Sequence, residues 1–115
     1  MTQMPNIVVA AEAGIKLRSA ADVSDLIGAV YGFDALILLE NDLSAAFFDL
    51  RTGLLGELFQ KLSNYQVMTA LVVPDPARYG AHFSELAFEH ATHNLIRFVD
   101  SPEAARAWLA SAGAP

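Results

Sequence analysis

Apolar and polar positions change period several times along the chain, and each change marks an element. Ile7-Val-Val-Ala10 and Ile15-Lys-Leu-Arg18 flank Glu12-Ala-Gly14, which predicts two short strands joined by a turn; the chain is expected to open with a hairpin. Ser19 then precedes a stretch in which Val23, Leu26, Ile27 and Val30 recur at helical spacing, with Asp22 and Asp25 placed to favour the positive N-terminal end. Gly32 ends that helix. Ala35-Leu-Ile-Leu-Leu39 is a continuous apolar run of strand length, as expected for a central strand covered by helices on both faces.

From Gly53 onward, Leu54, Leu55, Leu58, Phe59 and Leu62 keep one helical face apolar until Asn64. Val67 to Val73 predicts another buried strand, stopped by Pro74-Asp-Pro76. Gly80 to Thr92 follows as a less regular helix and Leu95 to Val99 as a strand. Ser101-Pro-Glu sets a capping side chain, a proline and an acid at the start of a last helix, whose Ala104, Ala105, Trp108 and Leu109 share a face. This alternation predicts an α/β fold, a mixed sheet of about five strands with about four helices in the order β-β-α-β-α-β-α-β-α.

A chain of 115 residues, 54% of them hydrophobic, suits one domain over 1–115, with its core at 6–110 and a tail at 111–115. Thirteen acidic against 7 basic residues give a net charge of −6, the wrong sign for tracking a phosphate backbone, so nucleic acid is not an expected partner. Without cysteine there is no disulfide, thiolate catalyst or Cys-ligated zinc, which fits the cytoplasm. Met1 to Asn6 lacks a signal-peptide pattern, and no apolar stretch approaches the roughly 20 residues that span a bilayer. A soluble protein without membrane contact is expected.

Candidate chemistry concentrates in Phe47-Phe-Asp-Leu-Arg-Thr-Gly-Leu-Leu-Gly-Glu57, where Asp49, Arg51 and Thr52 interrupt apolar sequence at the start of a helix. A helix N-terminus offers unpaired N–H groups and a partial positive charge, so Asp49, Arg51, Thr52 and Gly53 form a candidate interaction or anion-binding site, with Gly53 allowing close backbone approach. The plainer role for Thr52 or Asp49 is to cap that helix. Arg51 divides the alternatives: a structural arginine pairs with Asp49 or another carboxylate, and a contact arginine projects outward. Phe47 and Phe48 are expected to anchor the loop in the core. His82, Glu85, Glu89 and His93 recur at steps of three or four but lack a second Glu-x-x-His segment, and His90 lies off their stripe; they are read as a solvated face, with no metal and no cofactor assigned. Asp49 with Thr52, joined by Asp75 or Asp100, is the one acid-hydroxyl arrangement open to catalysis. No nucleotide-binding or hydrolase motif accompanies it, and no catalytic residue is assigned.

The order of elements from about Asn6 to Leu109 resembles the STAS domain, the fold of bacterial anti-sigma-factor antagonists. The likeness is carried by Phe47-Phe-Asp49 with Thr52-Gly-Leu54, by Leu71-Val-Val-Pro, and by Phe98-Val-Asp-Ser-Pro-Glu-Ala-Ala. A closer likeness is to the uncharacterised bacterial family called domain of unknown function 4180, in which the Phe-Phe-Asp-Leu-Arg/Lys-Thr-Gly-Leu segment and a later Asn-Tyr, here Asn64-Tyr65, recur. The STAS resemblance implies a signalling module that binds a protein, of the anti-sigma-factor or kinase-like kind, and is switched by phosphorylation at the hydroxyl residue before the glycine, which here is Thr52. Between Asp49 and Gly53 this chain carries Leu50, Arg51 and Thr52, one residue more than the STAS pattern. A homodimer through a sheet edge or helix face is a further expectation. Ranked behind the interaction module are a small-anion or metabolite binder at the same helix end, and then an enzyme.

Overall fold

Parallel pairing is what the apolar stretches choose. The computed structural model describes residues 6–112. In it β1 (Ile7–Val9), β2 (Ala35–Leu39), β3 (Met68–Val72) and β4 (Ile96–Val99) form one four-stranded sheet in the order β1-β2-β3-β4. Every neighbouring pair is parallel, with Ile7 opposite Ala35, Leu36 opposite Thr69 and Leu71 opposite Phe98. Among the described residues the α-helices are α1 (Ala20–Val30), α2 (Ala45–Phe48), α3 (Leu54–Asn64), α4 (Ala81–Glu89) and α5 (Pro102–Ala112). The α/β class is therefore as expected, while the sheet is parallel rather than mixed, with one strand fewer and one short helix more.

The opening hairpin does not form. β1 continues its ladder on β2, where the Ala10 N–H reaches the Ile37 carbonyl at 3.0 Å, and the chain turns away through Gly14, whose φ is 74°. Ile15 to Arg18 becomes an extended strap whose one β-bridge among the described residues joins Leu17 to Leu43, with the Ile15 N–H donating to the Ala10 carbonyl at 2.9 Å and the Ser44 hydroxyl to the Arg18 carbonyl at 3.2 Å. Alternation along Ile15-Lys-Leu-Arg18 requires only that Leu17 be buried and its neighbours be wet. A strap that buries Leu17 completely meets that requirement without joining the sheet.

Strand order explains how the faces are covered. When parallel strands follow one another across a sheet, right-handed crossovers bring every connecting helix to the same face. Leu36, Leu38, Leu71, Ile96 and Phe98 point to that face and share a core with Val23 and Leu26 of α1, Leu58 and Leu62 of α3, and Phe83 of α4. The helix after the last strand is free to take the other face. There α5 lays Ala105 and Leu109, both fully buried, on Ala35, Ile37, Ala70 and Val72. The small alanines admit the helix closely, and Ser101 caps it by accepting the Ala104 N–H at 3.1 Å. No helix among the described residues is long and apolar enough to cross a membrane. Of the expected tail, Ser111 and Ala112 belong to α5, and 113–115 lie outside the described residues.

Candidate functional site

α2 is one turn long, and burial rather than propensity holds it, since both of its aromatics enter the core: Phe47 is fully buried and Phe48 stacks on Tyr79 with centroids 4.1 Å apart. The anchoring role expected of Phe47 and Phe48 is what the structure shows. With them fixed, Asp49 leaves the helix in an extended conformation and begins a 3-10 turn, Leu50–Thr52, that leads through Gly53 into α3.

Each polar side chain of the loop has a defined local partner. Asp49 Oδ1 accepts the Arg51 backbone N–H at 3.1 Å and Nε at 3.0 Å, and Oδ2 accepts Nη2 at 3.0 Å. Hydrogen bonds from the Arg51 side chain, and then from its backbone, hold the Asp49 carboxyl below its usual value, and the side-chain hydrogen bond and charge of Asp49 in turn push the guanidinium further toward its charged form. The Thr52 hydroxyl has one proton to share between the Ala46 carbonyl at 2.8 Å and the Asp49 carbonyl at 2.9 Å, and its oxygen accepts the Leu54 N–H at 3.2 Å. Gly53 is favoured by its left-handed φ of 75°, which L side chains rarely adopt, and not by crowding, since a Cβ there would meet nothing within 4 Å.

Arg51 answers both of its alternatives at once. It forms the two-pronged pair with Asp49, yet its side chain is 91% exposed. The result is a guanidinium held in one orientation and presented to solvent. Capping is likewise shared: Asp49 caps the 3-10 turn, and Thr52 takes one of the free N–H groups of α3. An anion at this helix end would meet a first turn already partly bonded and the Asp49 carboxylate beside it.

A shallow groove of about 410 Å³ runs along the loop, lined by Asp49 and Arg51 on one side and by Tyr79, His82 and Phe83 on the other. Sequence reasoning placed no histidine here. His82 arrives because α4 starts immediately after the loop that follows β3, and parallel strands collect such loops at one end of the sheet. Its side chain is 92% exposed, with Nδ1 4.0 Å from Glu85. Tyr79 donates its hydroxyl to Glu40, which also receives Arg78 Nη1 at 3.4 Å, so the far wall of the groove is tied to the end of β2. The signal available in the sequence was Pro76-Ala-Arg-Tyr-Gly80, a polar and aromatic segment directly after a buried strand.

The remaining candidates disperse. Asp75 precedes the 3-10 turn Pro76–Tyr79, and Asp100 lines a different cavity, with Pro74, Phe88 and Ala104. Neither lines the groove beside Thr52. No side-chain base hydrogen-bonds the Thr52 hydroxyl among the described residues, since the Asp49 carboxylate is turned to Arg51. α4 ends at Glu89, so His93 leaves the predicted stripe; its Nδ1 accepts the Leu95 and Ile96 N–H groups, both at 3.1 Å. Among the described residues no cluster of three or more His, Cys, Asp or Glu could hold a metal.

The fold and loop together define a small α/β domain with a parallel sheet and an exposed Asp-Arg pair at the carboxyl end of its strands. The chain belongs to the family described as domain of unknown function (DUF4180), whose model matches residues 2–109. It matches no curated protein and no solved structure.

Proposed function

We propose that the domain is a non-enzymatic, cytoplasmic protein-interaction module that grips its partner through the loop from Asp49 to Gly53. One observation carries this: Arg51 is 91% exposed and yet oriented by paired hydrogen bonds to Asp49. Exposed arginines ordinarily lose side-chain freedom on binding, and a guanidinium already held in place loses less. Arginine and aromatic residues are also the side chains that dominate interface energetics, and Tyr79 lies across the groove. The STAS resemblance supplies the partner class, a protein of the anti-sigma-factor or kinase-like kind.

Phosphorylation of Thr52 is the proposed switch. A phosphate would add about −1.5 to −2 charges. It would repel the Asp49 carboxylate and compete for Arg51, and the ester oxygen could no longer donate to the Ala46 or Asp49 carbonyls. The fork that presents Arg51 would come apart.

The test is capture of partners from a native cell extract with the wild-type domain, Arg51→Glu and Thr52→Asp, after Trp108 fluorescence has shown that all three fold. A protein retained by wild type and lost by both variants is the expected result. Identical captures by all three, or none by any, would overturn the proposal.

A further inference from the structure

The strap from Ile15 to Arg18 does more than bury Leu17. It walls a cavity of about 730 Å³ whose other side is formed by α1 and the segment after β2, and Asp42 lines it. Asp42 is only 3% exposed, a burial that carboxylates rarely show unless a cation accompanies them. Its Oδ2 accepts the Leu39 N–H at 2.8 Å. Its Oδ1 has no hydrogen-bond partner among the described residues, although no fully buried side-chain oxygen there lacks one. Oδ1 therefore retains contact with open space, and the cavity is the space Asp42 borders.

The neighbouring charges do not complete the carboxylate. No lysine, arginine or histidine nitrogen lies within 4.0 Å of Asp42 among the described residues, the ion pairs being those of Arg18, Arg51, Arg78 and His82. Arg18, on the cavity wall, is engaged by Asp22 through its backbone N–H at 2.8 Å and Nε at 3.4 Å. A divalent cation needs several oxygen ligands, and no cluster that could hold a metal forms among the described residues. An ammonium group needs fewer, because it donates single hydrogen bonds to separate acceptors.

We infer that this cavity binds a small molecule carrying a protonated primary amine on a short apolar stem. The ammonium donates to Asp42 Oδ1, and Asp25 on the same wall adds negative potential. The stem lies against Ile15 and Leu26. This site is separate from the Asp49 to Gly53 loop and does not depend on the function proposed for it.

The test titrates the full-length protein with n-butylammonium and, separately, with 1-butanol, following backbone amide resonances of Gly14, Asp42 and Leu43. The ammonium should shift them saturably, and the alcohol should bind at least about tenfold more weakly, as expected when a charge-assisted hydrogen bond is traded for a neutral one. Asp42→Asn keeps an oxygen for the Leu39 N–H and removes the charge, so it should weaken the ammonium by a similar factor. Equal shifts with both compounds, or undiminished binding by Asp42→Asn, would overturn the inference. No saturable shift with either compound would do the same. The comparison of the two compounds on wild type keeps the inference testable if Asp42→Asn fails to fold.

Discussion

Asp42 and Asp49 stand seven positions apart in one connecting segment and meet opposite circumstances. Asp49 is partly exposed, yet both of its oxygens are engaged by three hydrogen bonds from Arg51. Asp42 is almost fully buried and has one backbone N–H. The first carboxylate spends its charge on shaping its own loop. The second has one oxygen without a hydrogen-bond partner among the described residues and lines a cavity. Exposure alone is therefore a poor guide to which acid can take a ligand; what matters is whether its oxygens are already occupied.

Substitutions can separate the two regions. The largest effect is expected from Phe47→Ala, which empties a fully buried site beneath the Asp49 loop and should lower stability by about 3–5 kcal/mol in urea denaturation. Asp42→Ala should come next, at about 1–3 kcal/mol, because it leaves the Leu39 N–H without an acceptor in a part-buried position. Asp49→Ala, by contrast, should leave the melting temperature close to that of wild type, since the pair it breaks is solvent-screened. Equal losses from these two alanine variants would erase the contrast between the regions.

Thr52→Val should cost about 1 kcal/mol by removing the acceptor of the Leu54 N–H, while leaving the Asp49–Arg51 fork intact. The smallest effects concern pH. Asp49 should titrate below the ordinary aspartate value and return toward it in Arg51→Gln, as read by carboxyl carbon resonances. Its folded-state value is depressed, so its contribution to stability is present above the unfolded value and fades as pH falls through the folded one.

His93 lies below the usual histidine value, first because burial disfavours its charged form and then because His90 and Arg97 are nearby. The unfolded chain therefore binds that proton first as pH falls. His93 should lower stability progressively from the ordinary histidine range down to its own depressed value, and thermal melts of His93→Asn should show less of this loss.

Much of the fold was legible because its strands and helices carry unambiguous periods. Ala35 to Leu39 and Val67 to Val73 are apolar on both sides and became the central strands, and Ser101-Pro-Glu marked the start of α5. Ile15 to Arg18 misled because a two-residue alternation specifies which side chain is buried and not which neighbour supplies the hydrogen bonds. Ala45 to Phe48 was missed as a helix because one turn has no period to detect. At the site, the loop from Asp49 to Gly53 could be read because its partners are local, within six residues of one another. Asp42, Tyr79 and His82 could not, since their roles arise only when parallel strands bring separate loops together.

The most direct test of the account pairs the two regions in one experiment: capture from a native cell extract with wild type, Arg51→Glu and Asp42→Asn, each shown by Trp108 fluorescence to melt cooperatively. The account predicts that a protein partner retained by wild type is kept by Asp42→Asn and lost by Arg51→Glu. A partner kept by Arg51→Glu, or one lost by Asp42→Asn, would contradict it.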